Sequence, residues 1–251
     1  MSMRTSLHRP SVPKTGRRPV LAGLGAAALG AALPFGLSRS ATASVPMNGI
    51  PPAGLIPFDI RRGDSVIGAH TLRFSGDASR LTVDIAIDIE VKAAFITVYR
   101  YTHRNTETWA DGRLQAIQTR TDDNGDTLSV SGRATADGFR VEGSQGTVAA
   151  PADILPTSYW NIGTVEATRL LDTQKGTIRE VSIAPAGRET VTAAGRQVQA
   201  TRYAVTGDLT LDVWYSDPGQ WVKMYFQARG ATIDYTLNPG EAGASTLVER
   251  A

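Results

Sequence analysis

Between residues 81 and 91 the chain alternates almost without fault, with Leu81, Val83, Ile85, Ile87, Ile89 and Val91 at odd positions and Thr82, Asp84, Ala86, Asp88 and Glu90 at even ones. A period of two sends successive side chains to opposite faces of an extended strand. One face is therefore buried and the other wet, as in an antiparallel sheet with one solvated side. Shorter alternations run over 58–62, 66–74, 113–121, 177–183, 198–205, 209–215, 222–228 and 233–237.

Turn chemistry separates these runs: Arg62-Gly63-Asp64, Asp111-Gly112, Asp123-Asn124-Gly125-Asp126, Asp137-Gly138, Ala194-Gly195 and Asp217-Pro218-Gly219. Asn-Gly and Asp-Gly supply the positive φ angles of tight hairpins. Ten or so strands joined in this way predict an all-β fold, a curved antiparallel meander forming a barrel or half-barrel. The segment 149–176 breaks the pattern with Pro151, Pro156 and the pair Tyr159-Trp160. It reads as a short non-strand or helical insertion, with a helix expected over 164–172 and Thr164 as its N-cap. In a curled sheet such an insertion is either a plug or lid, or a crossover packed against the sheet.

The first 43 residues read as a twin-arginine export signal. Arg17 and Arg18 follow a basic start, the run 19–37 is apolar apart from its glycines, and Ala41-Thr42-Ala43 offers a small-x-small cleavage site. Glycines, Pro34 and the closing Ser38-Arg39-Ser40 make the run marginal for the roughly 20 apolar residues of a membrane span. The expectation is a periplasmic protein, cleaved near Ala43 and without a stable membrane anchor, whose partner during export is the twin-arginine translocase. A single β domain would then occupy 44–240, followed by a flexible Gly-, Ala- and Ser-rich tail at 241–251.

Charge follows the same division. Six of the 26 Lys and Arg lie in residues 1–43 and none of the 24 Asp and Glu do, so the remainder carries 20 basic against 24 acidic residues, a net of −4. A nucleic-acid partner is not expected of such a domain. The chain has no cysteine, which excludes disulfides and a lipid-bearing thiol. Outside the signal only His70 and His103 could offer imidazole, so no metal site and no cofactor are expected. Asp122, Asn124 and Asp126 imitate the start of a calcium loop, but Arg133 stands where the bidentate Glu belongs, and a hairpin turn is expected instead.

The most unusual run is 95–109. Read as one strand, it puts Tyr99, Tyr101, His103, Asn105, Glu107 and Trp109 on a single face, aromatic at both ends and polar between. Such a face can wall a cavity in which rings contact an apolar ligand and the polar groups orient its head, with Tyr159 and Trp160 contributed by the insertion. It can equally be an aromatic ladder with a paired Glu at a barrel rim. His103 and Glu107 would stand roughly 13 Å apart along the strand, too far for an acid/base couple within it. Trp214 and Trp221, beside the Asp217-Pro218-Gly219 turn, read as rim packing across a hairpin.

Phe58-Asp59-Ile60-Arg61-Arg62-Gly63 with Ile67-Gly68, Glu107-Thr108-Trp109-Ala110-Asp111-Gly112-Arg113-Leu114, Leu171-Asp172-Thr173-Gln174-Lys175-Gly176 and Trp214-Tyr215-Ser216-Asp217 occur in an order that resembles the DUF6134 family of bacterial exported proteins, and more distantly DUF3108. The resemblance spans about 58–237 and implies a periplasmic all-β protein comparable, by analogy of fold, to the LolA-like lipoprotein carriers. It implies no catalytic residue. Three functions stand in order: non-enzymatic binding or carriage of a lipid or other apolar ligand; a structural or interaction protein of the envelope with a packed core and an aromatic rim at Trp214 and Trp221; and a hydrolase using His103 and Glu107.

Overall fold

The computed structural model describes residues 49–77 and 79–239. The export signal and the 241–251 tail lie outside them. Eight strands run first as a meander: β1 (Leu55–Arg62), β2 (Ser65–Gly76), β3 (Leu81–Ala93), β4 (Ile96–Ala110), β5 (Arg113–Asp123), β6 (Asp126–Thr135), β7 (Gly138–Gly143) and β8 (Gly146–Ala150). The insertion contributes the two-residue β9 (Leu155–Pro156), a 3-10 turn over Ile162–Glu166 and β10 (Arg169–Leu171). A second meander follows: β11 (Ile178–Ala193), β12 (Arg196–Gly207), β13 (Leu211–Ser216), β14 (Gln220–Ala228) and β15 (Ala231–Leu237).

All fifteen strands form one sheet in the order β8-β7-β6-β5-β4-β3-β2-β1-β15-β14-β13-β12-β11-β10-β9, every pairing antiparallel except β9 with β10. β1 beside β15 therefore joins the two meanders. The sheet is curled but not closed. Arg229, in the β14–β15 turn, lies 4.6 Å over the Tyr99 ring and reaches Asp123 Oδ1 at 3.4 Å. Those partners belong to β4 and β5, separated from β15 in the sheet by β1, β2 and β3, so the inner face must wrap around to meet itself.

Where the two free ends approach, a turn and not a ladder makes the contact: Ser144 N–H donates to Lys175 O at 3.1 Å. Gly143 and Gly176 meet there with no room to spare. A Cβ on Gly143 would collide with Lys175 O, and one on Gly176, at φ +71, would fall 2.8 Å from Gly143 Cα.

The expected strands are all present, and three more, β6 to β8, occupy 126–150. Their sequences are short of large apolar residues, so alternation was faint. The Asn124-Gly125 hairpin is as expected, with both residues at positive φ and Gly125 N–H donating to Asp122 Oδ1 at 2.7 Å. The helix expected over 164–172 is not formed. The 3-10 turn begins earlier, capped by Asn161, whose side chain accepts from Gly163 N–H, while Thr164 is buried within the turn. Beyond it β10 pairs with β11 and buries Leu170 and Leu171 completely, a gain of about 1.5–3 kcal/mol per side chain that outweighs any helical preference of the segment.

Candidate functional site

Register places the inner face in rows. Phe58 of β1 faces His70 of β2, which faces Ile87 of β3, His103 of β4 and Thr121 of β5. One row away lie Ile60, Gly68, Ile89 and Tyr101; in the opposite direction stand Leu72, Ile85, Asn105 and Thr119, then Phe74, Val83, Glu107 and Ile117. Paired residues share a face, so the single face expected of Tyr101, His103, Asn105, Glu107 and Trp109 is formed. All five are buried, and Tyr99 is half-buried at the end of the row.

The insertion divides this face into two regions. Toward Trp109 the interior is filled. Trp160 packs edge-on against both Trp109 and Phe74, with ring centroids 5.2 and 5.3 Å away. Its indole N–H donates to Glu107 Oε2 at 3.0 Å, Trp109 Nε1 donates to the same oxygen at 3.0 Å, and Asn105 Nδ2 donates to Oε1 at 2.9 Å. Glu107 is wholly buried and its hydrogen bonds are to donors, not to a cation; burial raises its carboxyl above the ordinary range, and the donors pull the other way. Tyr159 adopts a left-handed φ of 57°, and its carbonyl accepts from Tyr215 Oη at 2.7 Å while its ring lies 6.1 Å from that of Trp221. The insertion combines the two roles open to it: Tyr159 and Trp160 fill the inner face, while β9 and β10 cross over to pair at the edge beside β11.

Away from the plug the face is emptier of partners. His103 Nδ1 and Thr121 Oγ1 are 2.8 Å apart, and the Tyr101 and His103 rings lie nearly parallel, 6.5 Å between centroids. His70 is 4% exposed, and neither of its ring nitrogens has a hydrogen-bond partner; the rings of Trp221 and Tyr235 stand edge-on to it at 5.5 and 5.6 Å. Burial, with His103 adding to it, holds His70 down at about 3; burial likewise holds His103 at about 4. Both rings are thus neutral at pH 7. Burial also pushes the Tyr99 phenol up to about 12 and that of Tyr101 further still. Half-buried Ile87 and Ile89 continue the face toward the β3–β4 turn. His103 and Glu107 make no bond to each other; each is committed to a different neighbour.

The aromatic rim expected at Trp214 and Trp221 is a correction. Trp221 is fully buried against Phe58 at 4.4 Å, and Trp214 is 5% exposed, its indole donating to Glu189 at 3.1 Å beneath the Lys223 ammonium. The register shift at Trp214/Tyr215 in the β13–β14 pairing turns Trp221 inward, whereas Trp214 pairs with Lys223 on the outer face and is covered there by Lys223 and Glu189, which alternation alone did not reveal. Thr119, Thr121 and Arg229 were not singled out from the sequence. The two threonines do share parity with Ile117, which was the available signal, whereas the placement of Arg229 depends on curl. Depressions of about 290 Å3 at Asp88, Glu90, Arg100 and Thr102, and about 350 Å3 at Arg73, Asp84, Arg104 and Thr106, are bounded chiefly by outward side chains.

Fold and site together define an open, β-barrel-like antiparallel sheet plugged at one end by its own insertion. Residues 58–238 match the family described as a domain of unknown function, DUF6134, and the chain belongs to that family. Among solved structures it is similar to a β-barrel-like protein of domain of unknown function DUF1849 from Brucella abortus, at 13% identity and a TM-score of 0.52 over 73% of this chain and 94% of that one. At such identity the likeness concerns the fold. No curated protein matches the chain.

Proposed function

We propose that this is an exported, non-enzymatic protein that binds or carries a lipid or other apolar ligand on the inner face of β2 to β4, at the end away from the plug. The observation that supports this reading most is His70, a buried imidazole with two unpartnered nitrogens, ringed by Phe58, Trp221 and Tyr235 and two strands from His103 in the same row. A buried polar group without a partner is costly, and a ligand head group arriving there would offset that cost. Tyr99, Tyr101 and His103 would line the ligand. Asn105, Glu107, Trp109, Tyr159 and Trp160 would close the far end of the groove and set its depth. Arg229, stacked over Tyr99, would be the clasp across the entrance.

A fluorescent fatty-acyl probe tests this reading. Saturable binding that weakens about tenfold in Tyr101→Ala, with Trp214→Ala unaffected, is the expected result. A second reading, a structural or interaction protein of the envelope, draws support from the filled interior around Trp109 and Trp160. It predicts no saturable probe binding in any variant.

A further inference from the structure

The β3–β4 hairpin outruns its neighbours. β5 leaves β4 at the Tyr101–Asp123 pair, whereas β3 and β4 stay paired to Ala93–Ile96, with a bulge at Val91/Lys92 on the way. On this projecting piece Phe95 is 100% exposed, Ile96 71% and Val98 54%; Val66, at the start of β2 beside the same hairpin, is 54% exposed. These are the large exposed apolar residues among the described ones, and all four stand at one end of the sheet. Lone surface apolars are ordinary; four gathered on a projection are not. The cations Lys92 and Arg100 flank the tip, sharing Glu90 at 2.8 and 2.7 Å, and exposed Arg62 lies on the adjoining turn. With Arg61, Asp64 and Glu90 included, the β1–β2 and β3–β4 turns hold four cations against two carboxylates, a net of +2, in a domain whose sequence from residue 44 onward sums to −4; the β5–β6 turn, with Asp122, Asp123 and Asp126, stops at the level of Arg100, behind the tip.

We propose that the β3–β4 tip is a membrane-docking element that inserts Phe95, Ile96 and Val98 into the surface of an anionic phospholipid bilayer, with Arg62, Lys92 and Arg100 meeting the lipid phosphates. Two features select a bilayer over a protein. A convex tip exposing consecutive apolar side chains needs a partner that deforms around it, which lipid does at little cost. The local positive charge complements anionic head groups and repels the equally positive tip of a second copy. The proposal does not depend on the ligand reading, since docking needs only the outer tip and ligand binding only the inner face.

Co-sedimentation of the protein with vesicles of phosphatidylcholine and phosphatidylglycerol tests it, alongside vesicles of phosphatidylcholine alone. Binding to the mixed vesicles is expected, weakening as salt is raised. Phe95→Ser with Ile96→Ser should reduce binding about tenfold or more at an unchanged melting temperature, because neither side chain is buried. Lys92→Gln should reduce it for the mixed vesicles and leave the weaker binding to neutral ones unaltered. Absence of binding, or binding that the double substitution leaves intact, would overturn the proposal. So would a self-association of the free protein that the same substitution abolishes, since the tip would then be covered by a second copy.

Discussion

Trp160 Nε1 donates to Glu107 Oε2 at 3.0 Å across 53 residues of sequence, and this bond fastens the insertion to the inner face of the sheet. Glu107 collects four donors here, from Asn105, Trp109, Ser158 and Trp160, so removing its carboxylate strands all four. Glu107→Leu should destabilise the fold by about 3–5 kcal/mol, since each buried unpaired donor costs about 1–3 kcal/mol. Glu107→Gln should cost only about 1 kcal/mol: Asn105 Oδ1 is buried without a partner, so the Asn amide can turn to accept from the new Gln nitrogen. Chemical denaturation of both variants checks this difference.

Acid should weaken the fold through the histidines. His70 and His103 have an ordinary value of 6.5 and are held at about 3 and about 4 in the folded chain, so the unfolded chain takes up protons first as pH falls. Their contribution is complete above pH 6.5 and is lost as pH drops from there toward 4. Between pH 6.5 and 5 each costs about 2 kcal/mol. Glu107, raised in the fold, works in the opposite direction above the ordinary carboxylate value of 4.5, so comparison with a variant is needed to isolate the histidine effect. His70→Leu should flatten the slope of stability against pH while leaving stability at pH 7 equal or higher. An unchanged slope would mean that His70 titrates normally.

The seam between the two ends of the sheet should be sensitive to a single methyl group. Gly143→Ala would drive a Cβ into Lys175 O and Gly176, at a cost of about 1–3 kcal/mol, although the β7–β8 turn is otherwise exposed. Gly146→Ala, three residues away and facing open space but at φ +98, should cost about 1 kcal/mol from backbone strain alone. Thermal unfolding of the pair separates the packing effect from the strain.

Much of this architecture was legible because alternation and Asx-Gly turns are local. β3 and the inward face of β4 follow from parity, down to the burial of Tyr101, His103, Asn105, Glu107 and Trp109. What escaped the sequence was long-range. Nothing near Glu107 announces Trp160, nothing near Tyr99 announces Arg229, and the bulge that turns Trp221 inward depends on β14 pairing out of step. β10 was mistaken for helix because its pairing with β11 and β9, not its own residues, decides its conformation.

Arg229 should govern access. Arg229→Ala removes both its stacking on Tyr99 and its ion pair with Asp123, which lies on an exposed rim and contributes little to stability. Exchange of a bound acyl probe, followed by stopped-flow displacement, should quicken several-fold while the melting temperature moves by less than about 1 kcal/mol in equivalent stability.

The central claim is that the inner face beside His70, Tyr101 and His103 holds an apolar ligand. Native mass spectrometry of the protein purified from the cells that make it, followed by organic extraction, tests that claim most directly. A discrete lipid-sized adduct is predicted, recovered in the extract and lost when Tyr101 and His103 are replaced by Ala. Repeated recovery of the unreplaced protein at its bare polypeptide mass, with nothing apolar in the extract, would contradict it.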